Sequence, residues 1–471
     1  MEETRAMEAW RALAEKALKG APLDSLDTPL ASITGGEGWL APFSLPAPPL
    51  YAGRAVVGRW QLVQRVDDDA AAATQALEDL ENGATALALV FAGAPSALGR
   101  GLTAASVDAL DEALDAVRLD LIGLHIEAGA AARAALANTV ALIRRRGTLP
   151  TSLHAGIDPV GSAAFGGRAP ALEDLGEAIA VMDEAGLDGT ALGADGRIAA
   201  EAGANPADEL AFAVSSLLAM LSALDRAGIP AEAALPRISV ALCADEDQFV
   251  TIAKLRAMRR LHAFIAAECG VSGVPLALHA TTAARMLSFT DPHTNLLRLT
   301  IAAMAAAQGG ADAITVLPFD RAASPFGRRM ARNIQSLMLE ESHVARLSDP
   351  GAGSGTIETL TETLAEAAWK AVTEHAADDY AAWLTDGTFA ARAAKAAARE
   401  RTIIGVTRHP PAEPVKTAAP PEPEPAAGTT PNGPLAALLE AAAEGATLDM
   451  RAPPAGPHAL APQRAAARHE G

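Results

Sequence analysis

The chain has 471 residues, half of them apolar, and a formal net charge of −19. Its length allows one large domain with additional segments. The acidic balance argues against nucleic acid and anionic membranes as partners, because both select basic surfaces. Two cysteines and an N-terminus without signal or transit features predict a cytoplasmic protein that has no disulfide framework.

The first 53 residues form a region of their own. Residues 6–20 have the spacing of an amphipathic helix, and residues 21–53 are rich in proline and glycine. This pattern predicts a short helix and then a long irregular arm, which we expect to wrap around a partner. The apolar residues of the arm that would need a cover are Trp39, Leu40, Phe43, Leu45, Leu50 and Tyr51.

Short β-like runs alternate with helical stretches over residues 54–408. The alternation predicts an α/β fold of parallel strands with helical crossovers, and about eight such units would close a (β/α)₈ barrel of the TIM type. A doubly wound open sheet is the alternative, although the chain has no glycine-rich first turn. The predicted strands are 85–92, 119–126, 151–157, 238–244, 275–281 and 313–319, with weaker candidates near 190 and 345.

Two helices carry clear signals within the barrel region. Apolar residues recur at helical spacing between Asp245 and Glu268. Asn205 is a good N-cap for a helix that has Pro206 at its first position. The loop before this cap, residues 196–200, offers almost no reactive side chain. We also expect the barrel axis to be blocked. The strands are rich in apolar residues, and the sequence pattern leaves open which of them face inward: Leu87, Leu89, Phe91, Ile314, Val316 and Phe319.

The C-terminal part changes in composition. Residues 358–398 are alanine-rich and helical, and residues 409–434 are a Pro/Ala/Glu-rich stretch that predicts an extended linker. A short helix is predicted from residue 435 to residue 444. The remainder, up to residue 471, lacks the periodicity of a domain, so we expect nothing of domain size after the linker.

Common catalytic motifs do not occur in the sequence. His154 and His279 lie in strand-like runs, a position that favours a hydrogen-bonded histidine of the core. His279 is the better catalytic candidate of the two, because barrel active sites lie at strand ends. The acidic run 67–69 predicts a solvated helix start, with Mg²⁺ binding as the alternative. A solvated basic face, or else a site for a CoA phosphate, is predicted at Arg328, Arg329 and Arg332.

Three long stretches together resemble one known family. They are DEDQFVTIAKLRAMRRLHAF at 245–264, LHATTAARMLSFTDPHTNLLRLTIAAMAAAQGGADAITVLPFD at 278–320, and RRMARNIQSLMLEESHVARLSDPGAGSGTIETLTETLAEAAW at 328–369. In this order they resemble the methylmalonyl-CoA mutase family. The resemblance implies a substrate-binding (β/α)₈ barrel, a linker and a flavodoxin-like domain that binds adenosylcobalamin. It also implies the rearrangement of methylmalonyl-CoA to succinyl-CoA.

The chain departs from the catalytic members of that family at their reactive positions. Their Tyr-His pair, whose histidine is understood to hydrogen-bond the thioester carbonyl, is replaced by Arg197-Ile198. A substrate-facing glutamine is replaced by Thr281, and a tyrosine after the Asp-Pro pair is replaced by Gly355. The Asp-x-His-x-x-Gly motif that supplies the cobalt ligand does not occur. The resemblance therefore implies no catalytic, cofactor-binding or metal residue in this chain, with His279 as the best residual candidate.

This combination is similar to the small, non-catalytic subunits of the heterodimeric bacterial members. It implies a 1:1 heterodimer with a large catalytic subunit that holds the adenosylcobalamin. We expect residues 435–471 to be the lead-in to a cobalamin-like domain that is absent. Two alternatives remain open: the catalytic barrel of a split acyl-CoA mutase with a separate cobalamin-binding chain, and a repurposed barrel that acts as a binding protein without a mutase partner.

Overall fold

Eight parallel strands close into a barrel in the computed structural model of the chain. The structure describes residues 2–42, 44–49, 52–54, 58–166, 171–320, 322–375, 379–398, 402–415, 423–430, 433–453 and 455–463. The strands pair in chain order around the barrel, and the last one pairs with the first. The prediction of a (β/α)₈ barrel is confirmed, and the open sheet is excluded because the sheet has no free edge.

The strands and helices have the following bounds. A two-stranded antiparallel pair, β1 and β2, precedes the barrel strands β3–β10. The strands are β1 Thr28–Pro29, β2 Trp39–Leu40, β3 Gln61–Val66, β4 Ala86–Val90, β5 Gly123–Glu127, β6 Ser152–Ile157, β7 Gly189–Asp195, β8 Ile238–Ala244, β9 Ala277–Thr282 and β10 Ala313–Thr315. The helices are α1 Glu2–Leu18, α2 Ala31–Thr34, α3 Ala72–Glu81, α4 Val107–Ala113, α5 Ala132–Arg146, α6 Pro159–Gly166, α7 Leu175–Glu184, α8 Arg197–Glu201, α9 Pro206–Arg226, α10 Ala231–Ala234, α11 Gln248–Glu268, α12 Asn295–Gln308, α13 Pro325–Glu340, α14 Gly355–His375, α15 Ala382–Thr385, α16 Thr388–Ala397 and α17 Leu435–Ala443.

The six main strand predictions and the weaker one near 190 are confirmed as β4–β10. The candidate near 345 is wrong, because Val344–Arg346 form a 3₁₀ turn. The eighth strand is β3, whose sequence QLVQRV was not predicted as a strand. Two glutamines and an arginine interrupt its apolar pattern, so it lacks the apolar run that marked the other strands.

The signals of α9 and α11 are confirmed. The Asn205 side chain accepts a hydrogen bond from the Asp208 amide at 3.0 Å, which caps α9. Asp247 caps α11, and its predicted apolar face is buried except for Phe249, which is exposed. By length and composition α9 could cross a membrane, but 89% of its apolar window is buried inside the protein, as in a core helix.

The N-terminal arm is more regular than predicted, and part of it lies on its own chain. Ile33 on α2 is buried, and α2 contacts α9 and α14. At the end of the arm, the Arg54 guanidinium donates to the carbonyl oxygens of Ala307 and Ala311, at 3.2 Å each. Trp39 is 65% exposed, whereas Phe43, Leu50 and Tyr51 lie outside the described residues.

Parts of the predicted linker and the predicted C-terminal helix also dock on the barrel. The helix is α17, which packs against α5 and buries Leu435, Leu438 and Ala442. The Leu448 amide donates to the Ala105 carbonyl at 2.8 Å. Within the predicted linker the Val415 amide donates to the Thr290 carbonyl at 3.1 Å, and the linker residues 416–422 lie outside the described part of the chain.

The acidic run 67–69 is not a fully solvated helix start. Asp67 is buried and accepts hydrogen bonds from Arg65 at 3.0 Å and from Arg100 at 3.2 Å. Burial alone would raise the pKa of Asp67, but these arginines lower it. With its carboxylate already paired to two arginines, Asp67 is a structural ion-pair residue and has little capacity left for Mg²⁺.

The predicted basic face is also mostly internal. Arg328 and Arg332 on α13 are buried and both form ion pairs with Asp79 of α3. Only Arg329 of the three is exposed, where its guanidinium lies over the Phe326 ring. Both readings of this triplet, a solvated face and a phosphate site, are therefore wrong for Arg328 and Arg332.

Candidate functional site

Three histidines meet inside the barrel. His125 from β5, His154 from β6 and His279 from β9 have ring centroids 4.5–4.7 Å apart. Burial lowers the pKa of His125 to about 4 and places the pKa values of His154 and His279 well below the usual range. The imidazoles are neutral at pH 7, since three adjacent cations would be costly in a desolvated interior.

Hydrogen bonds orient two of these rings. His125 Nε2 lies 2.8 Å from Gln61 Oε1, so this nitrogen is the donor. Gln61 in turn donates from Nε2 to the Ser152 hydroxyl at 3.0 Å. His154 Nδ1 lies 2.9 Å from the Thr190 hydroxyl. The interior of the barrel is therefore a connected polar layer.

An arginine closes the barrel above the histidines. Arg197, the first residue of α8, forms a two-point pair with Asp195, with Nε–Oδ1 and Nη2–Oδ2 distances of 2.8 and 2.9 Å. Its Nη1 also donates to Glu127 at 2.8 Å and to Thr281 at 3.0 Å. The carboxylates come from the C-terminal ends of β5 and β7, where barrel active sites lie.

The charges in this cluster depend on one another. Burial alone would raise the pKa of Glu127, but attraction to Arg197 and Arg65 outweighs it and lowers the pKa to about 2. Burial alone would lower the pKa of Arg197, but Asp195 and Glu127 raise it well above its usual value. Arg197 is thus a neutralised structural cation and is not free to bind an anion.

The structure brings together four of the five positions singled out from the sequence. Arg197, Ile198, Thr281 and His279 all line one interior cavity. Ile198 is buried and its side chain has no hydrogen-bond donor. Glu127, Asp195 and His125 belong to the same site, but the sequence analysis did not predict them as site residues. Their positions could have indicated it, since each lies in a strand-like run or directly at its end.

Gly355 lies outside this cavity. It is the first residue of α14, and Ser44 and Leu45 of the arm lie directly against it. A Cβ atom at this position would lie 1.9 Å from the Leu45 carbonyl oxygen. The Ala47 amide donates to the Gly353 carbonyl at 3.2 Å, which holds the arm there. The glycine therefore makes room for the arm.

The interior cavity is small. Its volume is about 60 Å³, far below the roughly 300–1,000 Å³ of pockets that enclose organic ligands. The expectation of a blocked axis agrees with this volume, and polar side chains including His125, His154 and His279 line the space that remains. The apolar strand residues singled out from the sequence all belong to the main apolar core, namely Leu87, Leu89, Phe91, Ile314, Val316 and Phe319.

Residues 455–463 cross the mouth of the barrel, and we call this segment the strap. Three backbone amides, at the two ends and in the middle of the strap, donate to carbonyl oxygens of the barrel region. These hydrogen bonds join Gly456 to Gly166 at 2.6 Å, Leu460 to Ala164 at 3.2 Å and Gln463 to Glu201 at 2.6 Å. Leu460 is buried. It lines a second cavity of about 30 Å³ together with Ile198 and Cys243. The strap thus covers the site from the C-terminal face.

A buried carboxylate lies beneath the strap. Glu201 accepts hydrogen bonds from the amides of Ala284 at 2.7 Å and Arg285 at 2.9 Å, and Cys243 Sγ lies 3.6 Å from its Oε1. Burial raises the pKa of Glu201 to about 7, and it raises the pKa of the Cys243 thiol well above its usual value. Cys243 is therefore an unreactive thiol as long as it stays covered.

We expect the substitution Leu460→Asp to release the strap and expose Cys243. Burying a leucine contributes about 1.5–3 kcal/mol, so its loss should raise the alkylation rate of Cys243 about tenfold or more. The rate can be followed by mass spectrometry with N-ethylmaleimide. Cys269 is exposed and serves as the internal control, and Leu149→Asp, at an exposed leucine, is the matched variant. An unchanged Cys243 rate in Leu460→Asp would show that the strap does not limit access.

The described residues do not fit a cobalamin or a metal ion. Among them, no group of histidine, cysteine, aspartate and glutamate side chains is arranged to hold a metal. The sequence has one Asp-x-His string, Asp291–His293. In the structure it leads through a 3₁₀ turn into α12. The face of the barrel on which a large cofactor would need to rest is covered by the strap.

Comparisons with known proteins agree with this architecture. A family model described as methylmalonyl-CoA mutase matches residues 92–420. The "Methylmalonyl-CoA mutase small subunit" of Streptomyces virginiae is 38% identical over 397 residues, covering 80% of this chain and 62% of the relative. The "Probable methylmalonyl-CoA mutase small subunit" of Mycobacterium tuberculosis (strain ATCC 25618 / H37Rv) is 37% identical over 400 residues, covering 78% and 63%.

A large subunit is also similar to the chain. The "Methylmalonyl-CoA mutase large subunit" of Streptomyces virginiae is 34% identical over 217 residues, covering 45% of this chain and 30% of the relative. The chain thus spans less than two thirds of the length of the small subunits that it matches.

Proposed function

The chain belongs to the methylmalonyl-CoA mutase family, and on that premise we propose that it is the small, supporting subunit of a heterodimeric mutase. Its partner is a large catalytic subunit, in a 1:1 complex in the cytoplasm. The complex interconverts methylmalonyl-CoA and succinyl-CoA, and the partner holds the adenosylcobalamin that supplies the radical chemistry. Residues 54–408 form the mutase-like body, and residues 1–53 contact the partner.

The observation that carries this proposal is the cluster around Arg197. Arg197 occupies the place of a reactive tyrosine and is held by Asp195, Glu127 and Thr281. Ile198 stands in place of the histidine and has no proton to donate to a thioester carbonyl. A positioned acid contributes about 10²–10⁴ in rate, so its loss alone would remove most activity. The scaffold is retained, while the reactive groups are replaced by a structural ion-pair network.

A catalytic role in a split mutase is the weaker candidate. It would require the barrel to admit an acyl-CoA, whereas the interior cavity is about 60 Å³. The strap also covers the face on which a separate cobalamin-binding chain would need to rest. Co-purification with a large subunit, followed by activity assays with and without this chain, tests the main proposal; activity restored by a free cobalamin-binding chain alone would overturn it.

We expect the N-terminal helix to be needed for association. None of the described side chains of α1 is buried, and Leu13 is 69% exposed. Later in the arm, α2, Ala47 and Ala52 contact the barrel and the helices around it. Deletion of residues 1–53 should abolish co-purification of the large subunit while the barrel stays folded. Deletion of residues 2–20 is the cleaner test, because it leaves the docked part of the arm in place.

The measurement is co-expression with a tagged large subunit, followed by affinity capture and size-exclusion chromatography. Circular dichroism melts of the isolated variants report whether the barrel is intact. Leu13→Asp keeps the length of the helix and should weaken capture in the same direction. If the chain without residues 2–20 captures the large subunit with undiminished affinity, α1 is not an anchor.

A further inference from the structure

The inner face of the barrel differs from its outer face. In β6 and β9 the residues that point into the barrel, such as His154 and His279, are half-buried, whereas the alternating residues that point towards the surrounding helices are buried. The interior of a (β/α)₈ barrel is usually filled by bulky branched side chains. Here the small residues Gly156, Ala241 and Ala313 line the space around the histidines, so side chains do not fill the interior completely.

The space that remains suits water and no larger ligand. Its volume is about 60 Å³, which accommodates about two to four water molecules at roughly 15–30 Å³ each. An enclosed organic ligand needs roughly 300 Å³ or more. The cavity therefore selects its occupant by size.

The histidines present hydrogen-bonding atoms to this cavity that the protein does not use. A neutral imidazole has one donor and one acceptor nitrogen. Within the described part of the chain, no group hydrogen-bonds either ring nitrogen of His279, and His154 uses only Nδ1, which lies 2.9 Å from the Thr190 hydroxyl. Enclosed polar atoms without a partner are costly, so native structures pair such atoms with protein groups or with ordered water.

Two hydroxyl groups line the same cavity from other elements. They belong to Ser162 of α6 and Thr315 of β10, and neither hydroxyl hydrogen-bonds another described residue. Together with the nitrogens of His154 and His279, they surround one small space from four elements of the fold. A buried water usually makes about three hydrogen bonds, and this lining supplies both donors and acceptors.

Other occupants fit the cavity less well. Among the described residues, no histidine, cysteine and carboxylate side chains are grouped so as to hold a metal ion. The imidazoles are neutral and Arg197 is held by Asp195 and Glu127, so the described lining offers no unpaired cation to an anion. An apolar molecule would leave the nitrogens and hydroxyls without partners. Water is the occupant that satisfies the lining.

We propose that the cavity between His125, His154 and His279 is a hydration site that holds about two to four ordered water molecules. The waters bridge the ring nitrogens of His154 and His279 to the hydroxyls of Ser162 and Thr315. Such bridges are nearly as favourable as direct hydrogen bonds, so they join strands across the barrel axis. The site goes beyond the proposed supporting function, because it gives the barrel interior a ligand of its own that any acyl chain would have to displace.

High-resolution crystal structures of the unchanged chain and of two variants test this proposal. His279→Phe keeps a ring of similar size and removes both ring nitrogens. His375→Phe is the matched control, because His375 is exposed on α14 and stacks on Trp383, outside the barrel. Oxygen-17 relaxation dispersion counts the long-lived internal waters of the same proteins in solution, and circular dichroism melts report whether each variant folds.

We expect waters within about 2.7–3.2 Å of the His279 nitrogens in the unchanged chain. In His279→Phe one or more of them should be lost, with the same fall in the solution count, and His375→Phe should match the unchanged chain. A dry cavity in the unchanged chain, or electron density for an organic molecule in it, would overturn the proposal, as would a His279→Phe variant that keeps the same waters. If His279→Phe does not fold, the unchanged chain still decides the question, because its cavity is either hydrated or not.

Discussion

The free energy of unfolding of the variant Arg197→Ala is expected to be about 3–5 kcal/mol lower than that of the unchanged chain. The substitution removes the cation that pairs with Asp195 and Glu127, and Glu127 is enclosed in the barrel together with the histidines. Two carboxylates would then share a desolvated site without the guanidinium that joins them, and Thr281 would lose its donor. Urea denaturation followed by circular dichroism measures the difference.

A triple variant separates the lost charge from the lost packing. Arg197→Met with Glu127→Gln and Asp195→Asn removes all three charges and keeps similar side-chain volumes. We expect it to recover most of the lost stability, because replacing a whole buried ion-pair group is often close to neutral. If Arg197→Ala is as stable as the unchanged chain, the cluster does not hold the barrel mouth together.

The same cluster predicts a dependence on pH. The pKa of Glu127 lies at about 2 in the folded chain, because Arg197 outweighs the effect of burial, against an ordinary value of 4.5. The stability that the pair contributes is therefore complete above about pH 4.5 and is lost as the pH falls towards 2. The gap in unfolding free energy between the unchanged chain and Arg197→Ala should narrow over that range. A gap that stays constant down to pH 2 would contradict this assignment.

The isolated chain is expected to show no mutase activity and no saturable binding of methylmalonyl-CoA or adenosylcobalamin. The reasons are independent of one another: Ile198 supplies no proton, Arg197 is neutralised, and the cavity between the histidines is about 60 Å³. Activity should appear only when the large subunit is present. We expect a loss of more than about 10⁴-fold relative to the complex, since more than one catalytic contribution is missing.

Calorimetry with methylmalonyl-CoA and gel filtration with adenosylcobalamin measure the two binding reactions. The complex with the large subunit is the positive control for both ligands. A cobalamin spectrum that co-migrates with the isolated chain, or tight binding of methylmalonyl-CoA to it, would contradict the proposed supporting role.

Local features of the chain could be read from the sequence alone. The strand β8 was predicted with its observed bounds, residues 238–244, because its run of apolar residues is short and ends at turn-forming residues. The cap at Asn205 was predicted because capping depends on residues within one turn of each other. The barrel followed from the alternation of such elements.

The sequence also located the positions at which the chain differs from its catalytic relatives. The frame around Arg197 and Ile198 predicts that reactive residues are replaced, and that prediction needs no coordinates. The sequence could not show what the replacements do, because the partners of Arg197 come from strands 2 and 70 residues before it and 84 residues after it.

Charged residues were the main source of error, and the reason is physical. Arg328 and Arg332 look like a solvated face in the sequence, but Asp79, about 250 residues earlier, neutralises both in the folded chain. β3 was missed for the same reason, since its polar side chains find partners inside the barrel, such as Gln61 with His125. The sequence alone determined many of the local elements and the fold class, and it predicts the loss of reactive residues. Only the tertiary structure decided which charges are buried together, which segments cover the barrel mouth and which polar side chains line the barrel axis, because each depends on contacts between residues far apart in the chain.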